Sequence, residues 1–208
     1  MNTNLINRLG VLGIFSFLSY LAAVLFAPLA YPGYNWLIQA VSDLSADNAP
    51  SKVLWGQLSV LYAVCALVCL TLACVYIQGK LNRTLRLGIY AFTLMHIVSH
   101  VGYSWFPLTE SGYAGSFQDV MHAVVTSAVV LLSILSLILL MIGGFKDKKY
   151  SFLAIGAAVA FLLMLAGPIG ISLAPKAIFG LFERFSTLSA AAFTAFLGIC
   201  LMLKFKEE

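Results

Sequence analysis

The chain has 208 residues, 62% of them hydrophobic and only 10% charged, with a formal net charge of +4. A soluble domain carries roughly 25% charged residues, so this composition excludes a water-soluble globule and makes lipid the solvent for most of the surface. No basic cluster alternates with aromatic residues, which argues against a nucleic-acid partner.

A membrane-spanning helix needs about 20 mostly apolar residues. In chain order, six segments meet that requirement: roughly 9–30, 54–78, 86–106, 117–143, 152–173 and 177–203. The expected fold is an all-α, single-domain polytopic bundle of six transmembrane helices. The first segment follows Arg8 and exceeds the ~7–15-residue core of a signal peptide, so it reads as an uncleaved span. The one long connection, 30–53, begins Tyr31-Pro-Gly-Tyr-Asn-Trp36, and Tyr34 and Trp36 suit the headgroup zone. Its middle, Gln39-Ala-Val-Ser-Asp-Leu-Ser45, reads as a short interfacial helix. Gly167-Pro-Ile-Gly170 predicts a kink in the fifth span, and Ala174-Pro-Lys176 a tight turn before the sixth. Cys65, Cys69, Cys74 and Cys200 all lie in apolar runs without a Cys-x-x-Cys pair, so they read as packing residues.

Orientation follows from basic residues in short loops. Arg8, then Lys80, Arg83 and Arg86, then Lys146, Lys148 and Lys149, then Lys204 and Lys206 occupy alternate connections. One side thus collects nine of the twelve basic residues. Both termini are expected to be cytoplasmic.

The titratable residues gather toward the opposite side. Thr93, His96, His100 and Tyr103 follow 3-4-3 spacing and share one helical stripe, as do Asp119, His122 and Thr126. At 1.5 Å rise per residue, His100 lies about 7.5 Å below the outer end of its helix and His96 about 6 Å deeper. His122 enters its own helix to a depth like that of His100. Glu183 and Arg184 start the last span, and Ser42 and Asp43 sit in the long outer loop. Ionisable groups inside a membrane are costly and face a bundle interior or a wet cavity. An outward-facing polar pocket is therefore expected, with His100, His122, Tyr103 and Arg184 as ligand-binding residues. The structural alternatives are helix-packing histidines, an Arg184 clamp to Asp43 or Asp119, and Asp43 as a turn cap.

Three histidines with a carboxylate nearby can hold zinc and leave one position for water. His96, His100 and His122 would be the metal ligands, and Asp119 or Glu183 the acceptor of the water's proton. Ser42 and Asp43 offer a further catalytic pair, although no nucleophile turn surrounds Ser42. His96 is followed by Ile97, not by the glutamate of soluble zinc proteases. Haem suits the chain less well, because no two pairs of histidines face one another at two depths.

Tyr31-Pro-Gly-Tyr34, Gln39-Ala-Val-Ser-Asp-Leu-Ser45, Phe106-Pro107, Met121-His122 and Gly180-Leu-Phe-Glu-Arg184 resemble, in this order, the bacterial and archaeal membrane family called domain of unknown function 998. The resemblance covers almost the whole chain. It implies a six-helix protein of a prokaryotic plasma membrane and carries no established reaction. More distantly, the chain is similar to the transmembrane hydrolase superfamily of alkaline ceramidases and progestin/adiponectin-type receptors. That likeness implies a serine, an aspartate and three histidines around zinc. Ser42, Asp43, His96, His100 and His122 match in kind but not in order, and the helix count is six, not seven. Two functions follow as expectations. The first is a pocket that binds a membrane lipid headgroup or another amphiphile. The second is a zinc-dependent hydrolase of an extracytoplasmic lipid amide or ester. A purely structural role is the third class, and the oligomeric state is not legible.

Overall fold

The computed structural model describes residues 3–112, 115–173 and 175–203. Ala174, Lys204 and Lys206, which entered the turn and orientation arguments, lie outside them. The described residues are helical and contain no strand. The α-helices are α1 (Thr3–Leu9), α2 (Val11–Phe26), α3 (Lys52–Leu58), α4 (Val60–Tyr76), α5 (Arg83–Trp105), α6 (Phe117–Phe145), α7 (Ser151–Leu173) and α8 (Phe179–Leu203). The interfacial helix expected over Gln39–Ser45 is only a 3-10 turn, Ser42–Ser45.

The long helices form a closed ring in chain order. Each of α2, α4, α5, α6 and α7 packs on the next, and α8 returns to α2. Short connections make successive helices antiparallel neighbours, so this ring is the simplest closure of a chain of hairpins. Its centre is apolar, built around Ile89, Phe92, Met95, Leu140, Leu153 and Phe193. Its rim is apolar too, with Leu131, Leu162 and Leu173 exposed. A helix bundle that is hydrophobic inside and out belongs in lipid. Among the described residues, five helical stretches are long and apolar enough to cross a membrane: Asn4–Ala30, Lys52–Tyr76, Phe117–Phe145, Lys148–Leu173 and Lys176–Leu203. The 23-residue α5 has the length, but Arg83, Arg86, His96 and His100 reduce its apolarity.

Hydrocarbon offers no partner to a backbone carbonyl, and two helix irregularities are repaired by serines of neighbouring helices. Pro168 has no N–H to give Met164, four residues back. Ser186 Oγ of α8 donates to that Met164 carbonyl at 2.8 Å, and α7 extends past Pro168 as one helix, Ser151–Leu173. At Ser59, between α3 and α4, the Tyr62 N–H turns to the Ser59 carbonyl. The Leu58 carbonyl then accepts from Ser19 Oγ of α2 at 2.6 Å, and Ser16 Oγ donates to Tyr62 O at 2.9 Å.

Small residues set the closest helix approach. A methyl group on Gly10 or Gly198 would overlap the other's carbonyl oxygen, so the α2–α8 closure depends on glycine at both positions. The four cysteines are free thiols, and three of them are buried.

Ser186→Ala removes the partner of the Met164 carbonyl in an apolar setting. The expected cost is about 1–3 kcal/mol, read as a lowered unfolding midpoint in detergent. Ser127→Ala is the control, since Ser127 bonds only its own helix, at Ala123; its midpoint should not move.

Candidate functional site

One end of the ring is covered by the 31–51 loop, which is stitched to the start of α8. The Gly180 and Leu181 N–H groups, orphans of a helix start, both donate to Leu37 O, at 2.8 and 3.3 Å. A side chain on Gly180 would collide with the Gln39 and Trp36 carbonyls. Arg184, 8% exposed, is the rivet. Its Nη1 donates to Trp36 O at 2.7 Å, Gln39 O at 3.0 Å and Gly180 O at 2.7 Å, and its Nη2 to Tyr34 Oη at 2.6 Å. Burial pushes the Tyr34 phenol up to about 12, with the Arg184 guanidinium opposing. The hydroxyl therefore keeps its proton and donates to Ala40 O at 2.7 Å. The clamp expected between Arg184 and Asp43 or Asp119 is not formed. Among the described residues, the single ion pair is the exposed Lys52–Asp47 at 2.7 Å.

The carboxylates of the cap hold backbone. Asp43 accepts from Ala40 N at 2.9 Å and Gly112 N at 3.2 Å. Glu183 Oε2 accepts from Val41 N at 2.7 Å. Asp47 N donates to Leu108 O at 2.8 Å, which joins the 31–51 loop to the α5–α6 connection. Ser42 lies in its 3-10 turn, where its carbonyl accepts from Ser45 Oγ at 3.1 Å. Asp119 forms a capping box with Ser116 at the start of α6. It also accepts from Thr109 N and Thr109 Oγ1, both at 2.9 Å. A carboxylate so occupied is a scaffold and a poor proton acceptor.

The three histidines separate into two groups. His122 Nδ1 lies 2.8 Å from Phe106 O; a carbonyl only accepts, so Nδ1 carries the proton. Tyr103 stacks against His122 at 4.7 Å and donates to Thr126 Oγ1 at 3.1 Å, tying α5 to α6. His96 and His100 face the ring interior. Thr194 Oγ1 of α8 donates to Ala190 O at 3.1 Å. It therefore accepts from His96 Nε2, 2.9 Å away, which fixes the His96 tautomer. The bare His96 Nδ1 then faces His100 Nε2 at 3.5 Å. His96 is fully buried, while His100 is half-buried.

Three tyrosines, one histidine and one glutamate define the interior of the half beneath this loop. Tyr62 meets His100 edge-on at 4.8 Å and Tyr20 at 4.6 Å. Tyr20 bonds the side chain of Thr187 and lies in electrostatic range of Tyr62, Tyr103 and Glu183. Tyr62, His100, Tyr103 and Glu183 are all half-buried, although each faces other helices. Neither Tyr62 Oη nor His100 Nδ1 has a hydrogen bond to a described residue.

The zinc centre expected from His96, His100 and His122 is not assembled. Among the described residues, no group of three His, Cys, Asp or Glu side chains converges as a metal requires. His122 is turned to Phe106 and His96 to Thr194, so the residues do not fit the ion and no step is derived through it. The sequence reading missed Tyr20, Tyr62, Thr187 and Thr194. Their signal was a hydroxyl in an otherwise apolar run, which says that a partner exists but not where.

No curated protein and no solved structure matches the chain. The family described as "Protein of unknown function (DUF998)" matches residues 14–200, a span from α2 into the last turn of α8 that takes in the cap and the whole histidine–tyrosine interior. The chain therefore belongs to that family.

Proposed function

We propose that this is a six-span integral protein of a prokaryotic plasma membrane whose outer half holds a polar pocket for a lipid headgroup or another amphiphile. α5 is the sixth span, since its 23 residues extend about 34 Å and a hydrocarbon core is about 30 Å thick. The positive-inside asymmetry supports cytoplasmic termini and an outward cap.

One observation carries the pocket. Tyr20, His100 and Glu183 lie at similar depths, roughly 6–9 Å inside the ends of α2, α5 and α8, and the Tyr62 ring joins the first two. A ring that only had to pack would fill this level with leucine, as it does around Leu140 and Leu153. Polar groups retained inside a membrane bundle are costly and mark function. Half-buried rims on inward-facing side chains support a cleft rather than a solid core. The zinc hydrolase has no comparable support, because its three histidines divide between two sites.

Two outcomes are expected. A reporter active only in the cytoplasm, fused after residue 208 or within 146–149, should be active; activity from an extracytoplasmic reporter at the same positions overturns the topology. Mass spectrometry of protein purified in mild detergent should find copurified lipid. Tyr62→Phe, which keeps the ring and deletes one hydroxyl, should weaken its retention about fivefold with the unfolding midpoint unchanged.

A further inference from the structure

Given that pocket, we infer that its ligand carries a primary ammonium group on an apolar tail. The inference rests on the pocket reading and deepens it with a charge inventory. Glu183 is the acid at pocket depth, and it accepts from backbone N–H groups of the cap, Val41 at 2.7 Å and Ser42. No basic side chain forms an ion pair with it among the described residues. Arg184 follows it directly, and successive helical residues point about 100° apart. The guanidinium is turned to the cap, where three carbonyls and the Tyr34 hydroxyl take up its donors. Lys52 is held at the surface by Asp47, and Lys176 is exposed. Among the described residues Glu183 therefore has no ion-pair partner; Arg184 lies within its electrostatic range, but its donors are committed to the cap.

The remaining polar atoms are biased toward acceptors. With His100 Nε2 directed at His96 Nδ1, the His100 Nδ1 lone pair has no hydrogen bond among the described residues. Nor, among them, does Tyr62 Oη have one. Both lie on the wall that joins α4 to α5. Tyr20 packs on Tyr62 and meets Trp55 edge-to-face, so the same wall continues as a cluster of aromatic rings. Aromatic faces attract cations, and an ammonium brings three N–H donors to acceptors that otherwise have none. A phosphate or carboxylate headgroup would instead meet the Glu183 carboxylate, and the donors of the nearby Arg184 are already taken by the cap. A quaternary ammonium would satisfy the charge but leave the His100 and Tyr62 acceptors unpaired, which is costly for buried groups.

The test is calorimetric titration of full-length protein in an uncharged detergent with dodecylamine, dodecyltrimethylammonium and dodecyl phosphate. Dodecylamine is expected to bind tightest and dodecyl phosphate not at all. Glu183→Gln removes the charge and keeps an oxygen acceptor for Val41 N–H, while its NH2 can no longer accept from Ser42 N–H; in protein that still unfolds cooperatively it should weaken dodecylamine about tenfold or more. Tyr62→Phe should narrow the gap between the primary and quaternary amines. Equal or tighter binding of dodecyl phosphate, no binding of dodecylamine, or an unchanged affinity in folded Glu183→Gln each overturns the inference. If dodecylamine fails while a neutral or anionic lipid copurifies and its retention depends on Tyr62, the pocket stands and its ammonium specificity falls. If no lipid is retained and none of the three amphiphiles binds, both fall.

Discussion

A backbone carbonyl without a partner is the feature that hydrocarbon tolerates least, and the rest of this fold is arranged around that constraint. Pro168 and Ser59 each leave one such group. Each is answered from a neighbouring helix by a serine whose position makes sense only once the ring is closed. The same rule explains Arg184. Its guanidinium forms no ion pair among the described residues; it collects the carbonyls of a loop that has too little regular structure to satisfy them itself. A charge that looked functional in the sequence is in this sense a replacement for water beneath the cap.

That arrangement divides the polar residues of the capped half into two layers. The upper layer, with Arg184, Asp43, Asp119 and Tyr34, is occupied by hydrogen bonds to backbone. The lower layer, with Tyr20, Tyr62, His100 and Glu183, is sparsely bonded and faces inward. Glu183 belongs to both, since one of its oxygens holds the Val41 N–H of the cap while Tyr20 lies within its field. Occupation of the lower layer is thus mechanically adjacent to the seam that fastens the cap.

Much of the architecture was legible from the sequence because hydropathy reports on solvent, and lipid is the solvent here. The apolar runs located the long helices to within a few residues. They missed the Ser59 break and the real start of α5, which Asn82 fixes by capping Leu85 N and donating to Gly143 O. The site was less legible. Spacing placed His96 and His100 on one stripe correctly, and depth put His122 level with His100. Depth, however, does not give azimuth: His122 faces the α5–α6 seam and its two relatives face the ring centre. Arg184 and Asp119 were misjudged for a related reason. Sequence shows charges, and charges suggest one another, whereas the carbonyls and hydroxyls that took them are invisible as a pattern.

The Gly10–Gly198 contact has a consequence for biogenesis. α8 follows the other spans in sequence, so it leaves the ribosome after them, and domains are built N-terminal part first. Until α8 arrives, the Met164 carbonyl awaits Ser186, the His96 ring awaits Thr194, and the 31–51 loop has no Arg184. The earlier helices are then a half-finished product with conspicuous polar defects facing lipid. The two glycines act as a latch whose closing marks completion, and membrane quality control could distinguish a finished molecule from an unfinished one by whether that latch has shut.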